Sequence, residues 1–198
     1  MIWKNIRLKN NLKKLIKNVK ELDDIIVFGS ITRGKTKPKD IDILVLFKNK
    51  VDKDVEYMIR KELEKFYSNI SIISKTRESL FDPSFDARES ILFEGISLLS
   101  NKILANKYGL SALGMFKYNF KDWNQLKKIK FYHILNGRSG KAGLLLNLNC
   151  IRISDNLILV PIDKIEEFKE FLALWDLEYT YIPLLIPERL NKKNILEK

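Results

Sequence analysis

The sequence predicts an α/β protein, in which a small mixed sheet with helices packed on it is followed by a compact α+β domain. Short apolar runs with the length of buried strands occur at 24–28, 40–47 and 70–74. Apolar residues at helical spacing predict amphipathic helices at 2–22 and 52–67. Near 106–109 the composition changes to small, turn-forming and aromatic residues, which indicates that a second domain begins there.

We therefore expect one domain at 1–107 and another at 108–198. The segment 77–90 reads as irregular or weakly helical, and 90–100 as a helix running into a strand. In the second domain, the pattern predicts a helix at 122–136, a basic glycine loop at 136–143, two strands flanking the turn Asp155-Asn156, a helix at 163–175 and a strand at 177–186. The tail from 191 to 198 is expected to be frayed.

The chain has 36 Lys and Arg against 25 Asp and Glu, a net charge of +11. Such an excess favours polyanionic partners, including nucleic acid and nucleotide phosphates. The composition is also rich in Lys, Ile and Asn, and a biased genome could produce the same excess without selection for binding. No apolar run approaches the ~18–20 residues that span a bilayer, and the N-terminus does not resemble a signal peptide. We expect a cytoplasmic protein.

Two residue counts narrow the chemistry. The single cysteine, Cys150, cannot form an intrachain disulfide, and we expect it to be a small buried residue. With only one histidine, His133, a Ser-His or Cys-His catalytic site is improbable, and we expect this histidine to be a structural or a surface residue. Catalysis would therefore depend on carboxylates and a hard cation.

The most informative segment lies between 28 and 45. Gly29 allows a sharp turn after a buried strand, and Ser30 begins a turn whose hydroxyl and N–H groups could hold a phosphate. Asp40 and Asp42 then enter the next strand two residues apart, which places both carboxylates on one face. Two carboxylates so close repel unless a cation lies between them, and phosphoryl transfer uses such a pair.

Gly29-Ser30, Arg33-Gly34 and Asp40-Ile41-Asp42, in this order and spacing, resemble the signature of minimal nucleotidyltransferases of the DNA polymerase β superfamily. The resemblance covers about residues 20–100. It implies an NTP-binding site with Mg²⁺ or Mn²⁺. Gly29, Ser30 and Arg33 would contact the nucleotide, while Asp40 and Asp42 would be the catalytic metal ligands.

One departure from the family pattern concerns the next strand. Active members usually carry a third carboxylate there, and Ser71 occupies the matching position. Serine binds divalent cations weakly and is not a base near neutral pH. A substitute for the third carboxylate could come from Asp82, Asp86, Glu89 or Glu94.

Three hypotheses about the function stay open. The first is an active nucleotidyltransferase, and the second is a catalytically degenerate module that binds RNA, a ribonucleoprotein or DNA. The third is a catalytic half that a partner chain completes.

The second domain offers cations but no familiar motif. Lys127, Lys128, Arg138 and Lys141 are candidate nucleic-acid contacts, with RNA favoured over DNA. The alternative is a glycine-rich helix terminus on a solvated surface. The spacing around Gly140-Lys141 excludes an ATP-binding P-loop. The aromatic residues between 116 and 132 are expected to be core more often than base-stacking surface.

Overall fold

The computed structural model describes residues 2–32 and 39–190, and the chain divides into two compact units, Met1–Tyr108 and Gly109–Lys198. Arg33, expected to contact the nucleotide, lies outside the described residues, as does the tail from 191 onwards. Among the described residues, no helix combines the length and apolar character that a bilayer crossing requires. Each unit contains its own sheet and helices, so the chain is a mixed α/β protein.

The first sheet has the strand order β3-β2-β1-β4. Its strands are β1 (Leu22–Phe28), β2 (Ile41–Phe47), β3 (Ile70–Thr76) and β4 (Ile96–Ser97). β1 is antiparallel to β2 and β4, while β2 and β3 run parallel. The two central strands are almost wholly buried, because their continuous Ile, Val and Leu runs are covered on both faces. The three predicted strands of this unit are confirmed.

Two longer helices pack on this sheet, α1 (Ile6–Leu15) and α2 (Lys53–Glu64). Asn5 and Asp52 begin them by accepting backbone N–H bonds with their side chains. The Asn11 amide of α1 donates to Glu62 Oε1 of α2 at 2.7 Å. The prediction of one helix over 2–22 was wrong at its end. Leu22 pairs with Phe47 in the sheet, so the chain must leave the helix before it.

Short elements complete the unit: α3 (Arg77–Leu80), α4 (Arg88–Glu94) and α5 (Leu104–Lys107). α4 and β4 confirm the helix that runs into a strand. α4 packs against β1 and against the turn that follows β1. A Cβ on Gly95, just after α4, would approach Ile26 Cγ2 to 2.8 Å, so glycine lets this helix end lie close to the central strand.

The second sheet is antiparallel, with the order β10-β5-β9-β8. Its strands are β5 (Leu110–Tyr118), β8 (Ile151–Ser154), β9 (Leu157–Pro161) and β10 (Tyr179–Pro187). The predicted hairpin around Asp155-Asn156 and the last strand are confirmed. The interior strand β5 was not predicted, because it directly follows the turn-forming residues at 106–109 and lacks a regular alternation of apolar and polar residues. Gly114 instead makes room for Tyr181 and Ile165, which a Cβ there would meet at 2.8 and 3.0 Å.

The second unit also contains α6 (Gln125–Asn136), a two-stranded hairpin of β6 (Gly137–Arg138) and β7 (Lys141–Ala142), α7 (Leu144–Asn147) and α8 (Ile165–Leu174). The predicted glycine loop is therefore a hairpin. The expectation that the aromatic residues form core is confirmed for Phe116, Tyr118 and Phe131, each at most 2% exposed. Phe116 meets Phe168 of α8 edge-on, with ring centroids 5.0 Å apart.

Candidate nucleotide-binding site

The turn after β1 has the shape that the sequence predicts. Gly29 has a φ of +82°, which residues with a side chain rarely adopt, and it is the first residue of the 3₁₀ turn Gly29–Ile31. The Thr32 backbone N–H and hydroxyl both donate to Gly29 O, at 3.1 and 2.7 Å. Ser30 lies half-buried inside this closed turn. The turn is thus held in one conformation at the end of a buried strand.

Asp42 lies against this turn. Phe28, the last residue of β1, pairs with Asp42 of β2, so Gly29 is beside Asp42 in space. A Cβ added to Gly29 would overlap Asp42 Oδ2 and stand 3.3 Å from Cγ. The absence of a side chain at Gly29 is therefore what leaves room for the carboxylate. The structure brings together two predicted site residues that are 13 positions apart in the sequence.

Asp40 lies one residue before β2 and is exposed. The intervening Ile41 is buried, and its N–H donates to Asn69 O at 2.9 Å. Asn69 has a φ of +58°, and its side-chain amide reaches Lys39 O at 3.4 Å. Asn69 therefore ties the segment that carries the two aspartates to the start of β3. Asn69 was not among the predicted site residues, although asparagine adopts a positive φ more often than most residues with a side chain.

Ser71 is the register partner of Asp42 on the parallel strand β3, and it is exposed. The structure therefore puts a hydroxyl beside Asp42. Across the described ranges 2–32 and 39–190, no three His, Cys, Asp or Glu side chains are grouped as a metal site. Among the described residues, the candidate metal ligands at this edge of the sheet are therefore Asp40 and Asp42.

The four possible substitutes for the third acid differ in position. Asp82 accepts bonds from the N–H and hydroxyl of Ser84, at 2.8 Å each, and these bonds lower its pKa. Asp86 and Glu89 are exposed. Glu94 is 5% exposed and accepts from the Ser90 hydroxyl at 3.0 Å. Of the four, Glu94 belongs to the helix that packs against the Gly29–Ile31 turn.

A second acidic pair lies at the other end of β1, away from the turn. Asp23 is paired with Arg77 and, at 2.7 Å, with Lys107. Burial opposes its ionisation, but the two cations outweigh burial and lower its pKa. Asp24 accepts from the Ser97 hydroxyl at 2.7 Å, yet burial dominates and raises its pKa. Asp23 and Asp24 were not among the predicted site residues, and their contacts tie β1 to α3, β4 and α5.

The predicted nucleic-acid contacts of the second unit fall into two groups. Lys127 and Lys128 are half-buried, with their ammonium groups 4.1 and 6.0 Å from the ring centroids of Trp123 and Phe120. Arg138 and Lys141 are exposed and lie opposite each other in the β6–β7 hairpin.

The single histidine of the chain, His133, is half-buried on α6. Cys150 is also half-buried, and burial raises the pKa of its thiol to about 12, which makes it a poor nucleophile.

Comparison with known proteins identifies the first unit. The family model for polymerase beta, nucleotidyltransferase, matches residues 10–103. A crystal structure of a MntA-HpeT toxin–antitoxin mutant is 22% identical, with a TM-score of 0.34, and the match covers 46% of this chain and 70% of that one. A toxin–antitoxin crystal structure with AMP-PNP is 25% identical, with a TM-score of 0.34 and coverage of 46% and 71%. A search of curated proteins found no match. Residues 10–103 belong to the polymerase beta nucleotidyltransferase family.

Proposed function

We propose that the first unit binds a nucleoside triphosphate with Mg²⁺ or Mn²⁺ and transfers a nucleoside monophosphate to an acceptor hydroxyl. The observation that carries this proposal is the contact between the Asp42 carboxylate and the backbone of Gly29. It sets a metal-ligating type of side chain directly beside a closed turn that can receive phosphate oxygens.

Each residue has a distinct role in this proposal. The Ser30 hydroxyl and the backbone N–H groups of its turn bind the triphosphate, and Gly29 leaves the space for that approach. Arg33 adds positive charge for the phosphates. Asp40 and Asp42 supply the carboxylate oxygens that a hard divalent cation prefers. When bound, that cation supplies charge neutralisation on the phosphates and orients the reacting oxygens.

The residue beside Asp42 limits the chemistry. Ser71 has no charge to attract a second cation and cannot take a proton from the acceptor near neutral pH. The acceptor hydroxyl must therefore lose its proton to another group or to water during the reaction. We expect transfer that is slow compared with an enzyme carrying three acids at this edge.

The same observation favours a second candidate function, a module that binds nucleotide or RNA without transfer. Two aspartates could hold one cation and its nucleotide, while the missing acid would prevent turnover. The two functions differ in one respect that can be measured. A binding module retains the NTP unchanged, whereas a nucleotidyltransferase releases pyrophosphate and labels its acceptor.

For the acceptor we propose RNA, held by the cations Lys127, Lys128, Arg138 and Lys141 of the second unit. Its support is the net charge of +11 and the position of these cations on one helix and the hairpin that follows it. The compartment that fits such a partner is the cytoplasm.

The test is incubation of the purified protein with each α-labelled NTP, Mg²⁺ or Mn²⁺, and either total RNA or total protein. The comparison variants are Asp40→Asn/Asp42→Asn and Ser71→Asp. Label transferred by the wild type and lost in the double variant supports transfer, and acceleration by Ser71→Asp supports the role given to that position. NTP binding without label transfer in wild type and in Ser71→Asp would leave the binding module as the function.

A further inference from the structure

Charge is unevenly distributed along the second unit. The 32 residues from Trp123 to Ser154 contain six cations and no acid, namely Lys127, Lys128, Lys130, Arg138, Lys141 and Arg152. The next 24 residues, from Asp155 to Glu178, contain seven acids and two cations. A bias of the genome toward lysine would spread the cations along the chain. This separation instead indicates that α6 and the hairpin after it face an anionic partner.

The two segments also differ in how many of their cations form ion pairs. Lys164, directly before α8, and Lys169 within it contact glutamates of α8, at 3.3 and 2.7 Å. Within the described ranges, Lys130, Arg138 and Lys141 contact no carboxylate. Their charge is therefore not neutralised by the described part of the protein, and it remains available to a ligand.

The β6–β7 hairpin brings two of these cations together. Ser139 and Gly140 have φ values of +53° and +79°, which is typical of a tight two-residue hairpin turn. Arg138 and Lys141 are direct cross-strand partners, so their side chains leave the same face of the hairpin. Like charges in this position destabilise a hairpin, and an anion between them removes the repulsion.

The base of the hairpin is fixed to the end of α6. Gly143, just after the hairpin, lies so close to Asn136 and Gly137 that a Cβ there would overlap the backbone of both. The two cations are therefore held at a set position relative to the helix. A preformed pair of cations loses less conformational freedom on binding a phosphate than two separate flexible lysines.

The outward face of α6 carries exposed aliphatic side chains beside a lysine. Leu126, Ile129 and Ile134 are 70%, 40% and 51% exposed, and Lys130 lies among them. The inward face is apolar, with Phe131 and Leu135 fully buried. An ordinary surface helix has polar residues on its outer face, so this pattern indicates a partner that is both anionic and able to offer apolar surface.

We propose that Leu126, Ile129, Lys130, Ile134, Arg138 and Lys141 form an α6–hairpin surface that binds single-stranded nucleic acid, with a phosphate between Arg138 and Lys141 and unstacked bases against the aliphatic side chains. This inference rests on the proposed function, because it specifies how the RNA acceptor is held. A duplex hides the faces of its bases and offers the aliphatic side chains only its charged backbone. A single strand presents both phosphates and apolar base faces along the helix, which is about 18 Å long.

The experiment measures the affinity of fluorescein-labelled 12-nucleotide RNA by anisotropy over a range of salt concentrations. It compares a single strand, a duplex of the same sequence and a single DNA strand. Arg138→Ala/Lys141→Ala is expected to weaken single-strand binding at least tenfold and to reduce the salt slope by about 0.7 to 1.4. Leu126→Gln/Ile134→Gln is expected to weaken binding about threefold to tenfold without changing the salt slope.

Two matched variants control for net charge and for surface hydrophobicity. Lys13→Ala/Lys14→Ala removes two exposed cations of α1, and Ile6→Gln/Leu174→Gln replaces two aliphatic residues that are 74% and 86% exposed elsewhere. Both controls should bind the single strand like the wild type. All variants are first compared with the wild type by circular dichroism, and only folded proteins are used.

Several outcomes would overturn the inference. These are equal losses in the surface variants and their controls, duplex binding as tight as single-strand binding, and displacement of the RNA by polyglutamate of equal charge. The last result would point to an acidic protein segment as the partner. Repeating the titration with Asp40→Asn/Asp42→Asn, without NTP, separates this inference from the proposed function. Intact RNA binding by both proteins, with no label transferred even by the wild type, would contradict only the proposed chemistry.

Discussion

The two units build their cores from different side chains and position their charged groups by different means. The core cluster of the first unit is aliphatic apart from Phe47, and its candidate site depends on strand register and a glycine turn. The second unit buries rings, including Phe116, Phe131, Phe168 and Phe171, and carries its cations on a helix and a hairpin above them. The first site is thus set by the backbone, whereas the second surface depends on the aromatic core beneath it.

The largest effect should come from the core of the second unit. Phe131 on α6 is fully buried and meets the rings of Tyr118, Trp123 and Trp175, with centroids 5.5 to 5.6 Å apart. We expect Phe131→Ala to lower the free energy of unfolding of this unit by about 3–5 kcal/mol and to abolish RNA binding. Urea unfolding followed by tryptophan fluorescence measures the first effect. Equal loss of NTP binding would show that the substitution affects the whole protein and not the second unit alone, and Ile182→Ala, at a 42% exposed residue, is the control.

The next effect concerns the turn of the first unit. Gly29→Ala forces a side chain into a positive φ and into the Asp42 carboxylate. We expect nucleotidyl transfer or NTP affinity to fall about 100-fold, because a displacement of about 1 Å in a catalytic group has that cost. Gly109→Ala is the matched control, since Gly109 also has a positive φ, +67°, but open space around it. If both variants lost activity equally, backbone strain would explain the result and the contact with Asp42 would not.

Neighbouring acids at the start of β1 should respond to pH in opposite directions. The lowered pKa of Asp23 means that its ionised form stabilises the fold above the unfolded pKa of about 3.9, and that this contribution is lost as pH falls through the folded pKa. The raised pKa of Asp24 means that its stabilisation is present below about 3.9 and lost as pH rises through the folded value.

We therefore expect Asp23→Asn to destabilise the protein at pH 7, by about 1–3 kcal/mol, and much less near pH 3. Asp24→Asn should leave stability at pH 7 unchanged or higher, because it removes a buried charge and can still accept from Ser97. Thermal unfolding of both variants from pH 3 to 8 measures the difference. If both variants were destabilised to the same extent at pH 7, the pKa values of Asp23 and Asp24 would not be shifted in opposite directions.

The smallest effect should come from Asn69. Asn69→Ala removes the bond to Lys39 O and places alanine at a φ of +58°, which costs about 1 kcal/mol. We expect a loss of a few fold in NTP affinity, because the segment before Asp40 is then less well held. Asn69→Gly keeps the backbone conformation and should recover most of the stability. Calorimetric titration with NTP and Mg²⁺ measures the NTP affinity of the two variants. Equal affinities would show that the positive φ at residue 69 does not contribute to NTP binding.

Much of the first unit was predictable from local patterns. The apolar runs identified β1, β2 and β3, and the spacing of Gly29, Ser30, Asp40 and Asp42 identified the family to which residues 10–103 belong. Helix ends were less predictable. The pattern of apolar residues continues from α1 to Leu22, but the pairing of Leu22 with Phe47 requires an extended chain there. Local periodicity does not report a contact formed 25 residues later.

The second unit was less predictable because its signals are weaker. β5 directly follows the change of composition at 106–109 and contains Gly114, and it is an interior strand because β9 and β10 pair with its two edges. The glycine-rich segment after α6 is a hairpin because Ser139 and Gly140 both adopt positive φ. Glycine permits this conformation without requiring it, so the sequence left the choice open.

By itself, the sequence determined the order of the main strands, the family of the first unit and the residue types at its site, because these follow from composition and spacing along the chain. The tertiary structure decided that Asp42 lies against Gly29, that Ser71 is its neighbour on β3, and that Arg138 faces Lys141. These relations depend on strand register. Register is set by the combined packing of a whole sheet, in which a shift of one residue turns every side chain to the opposite face.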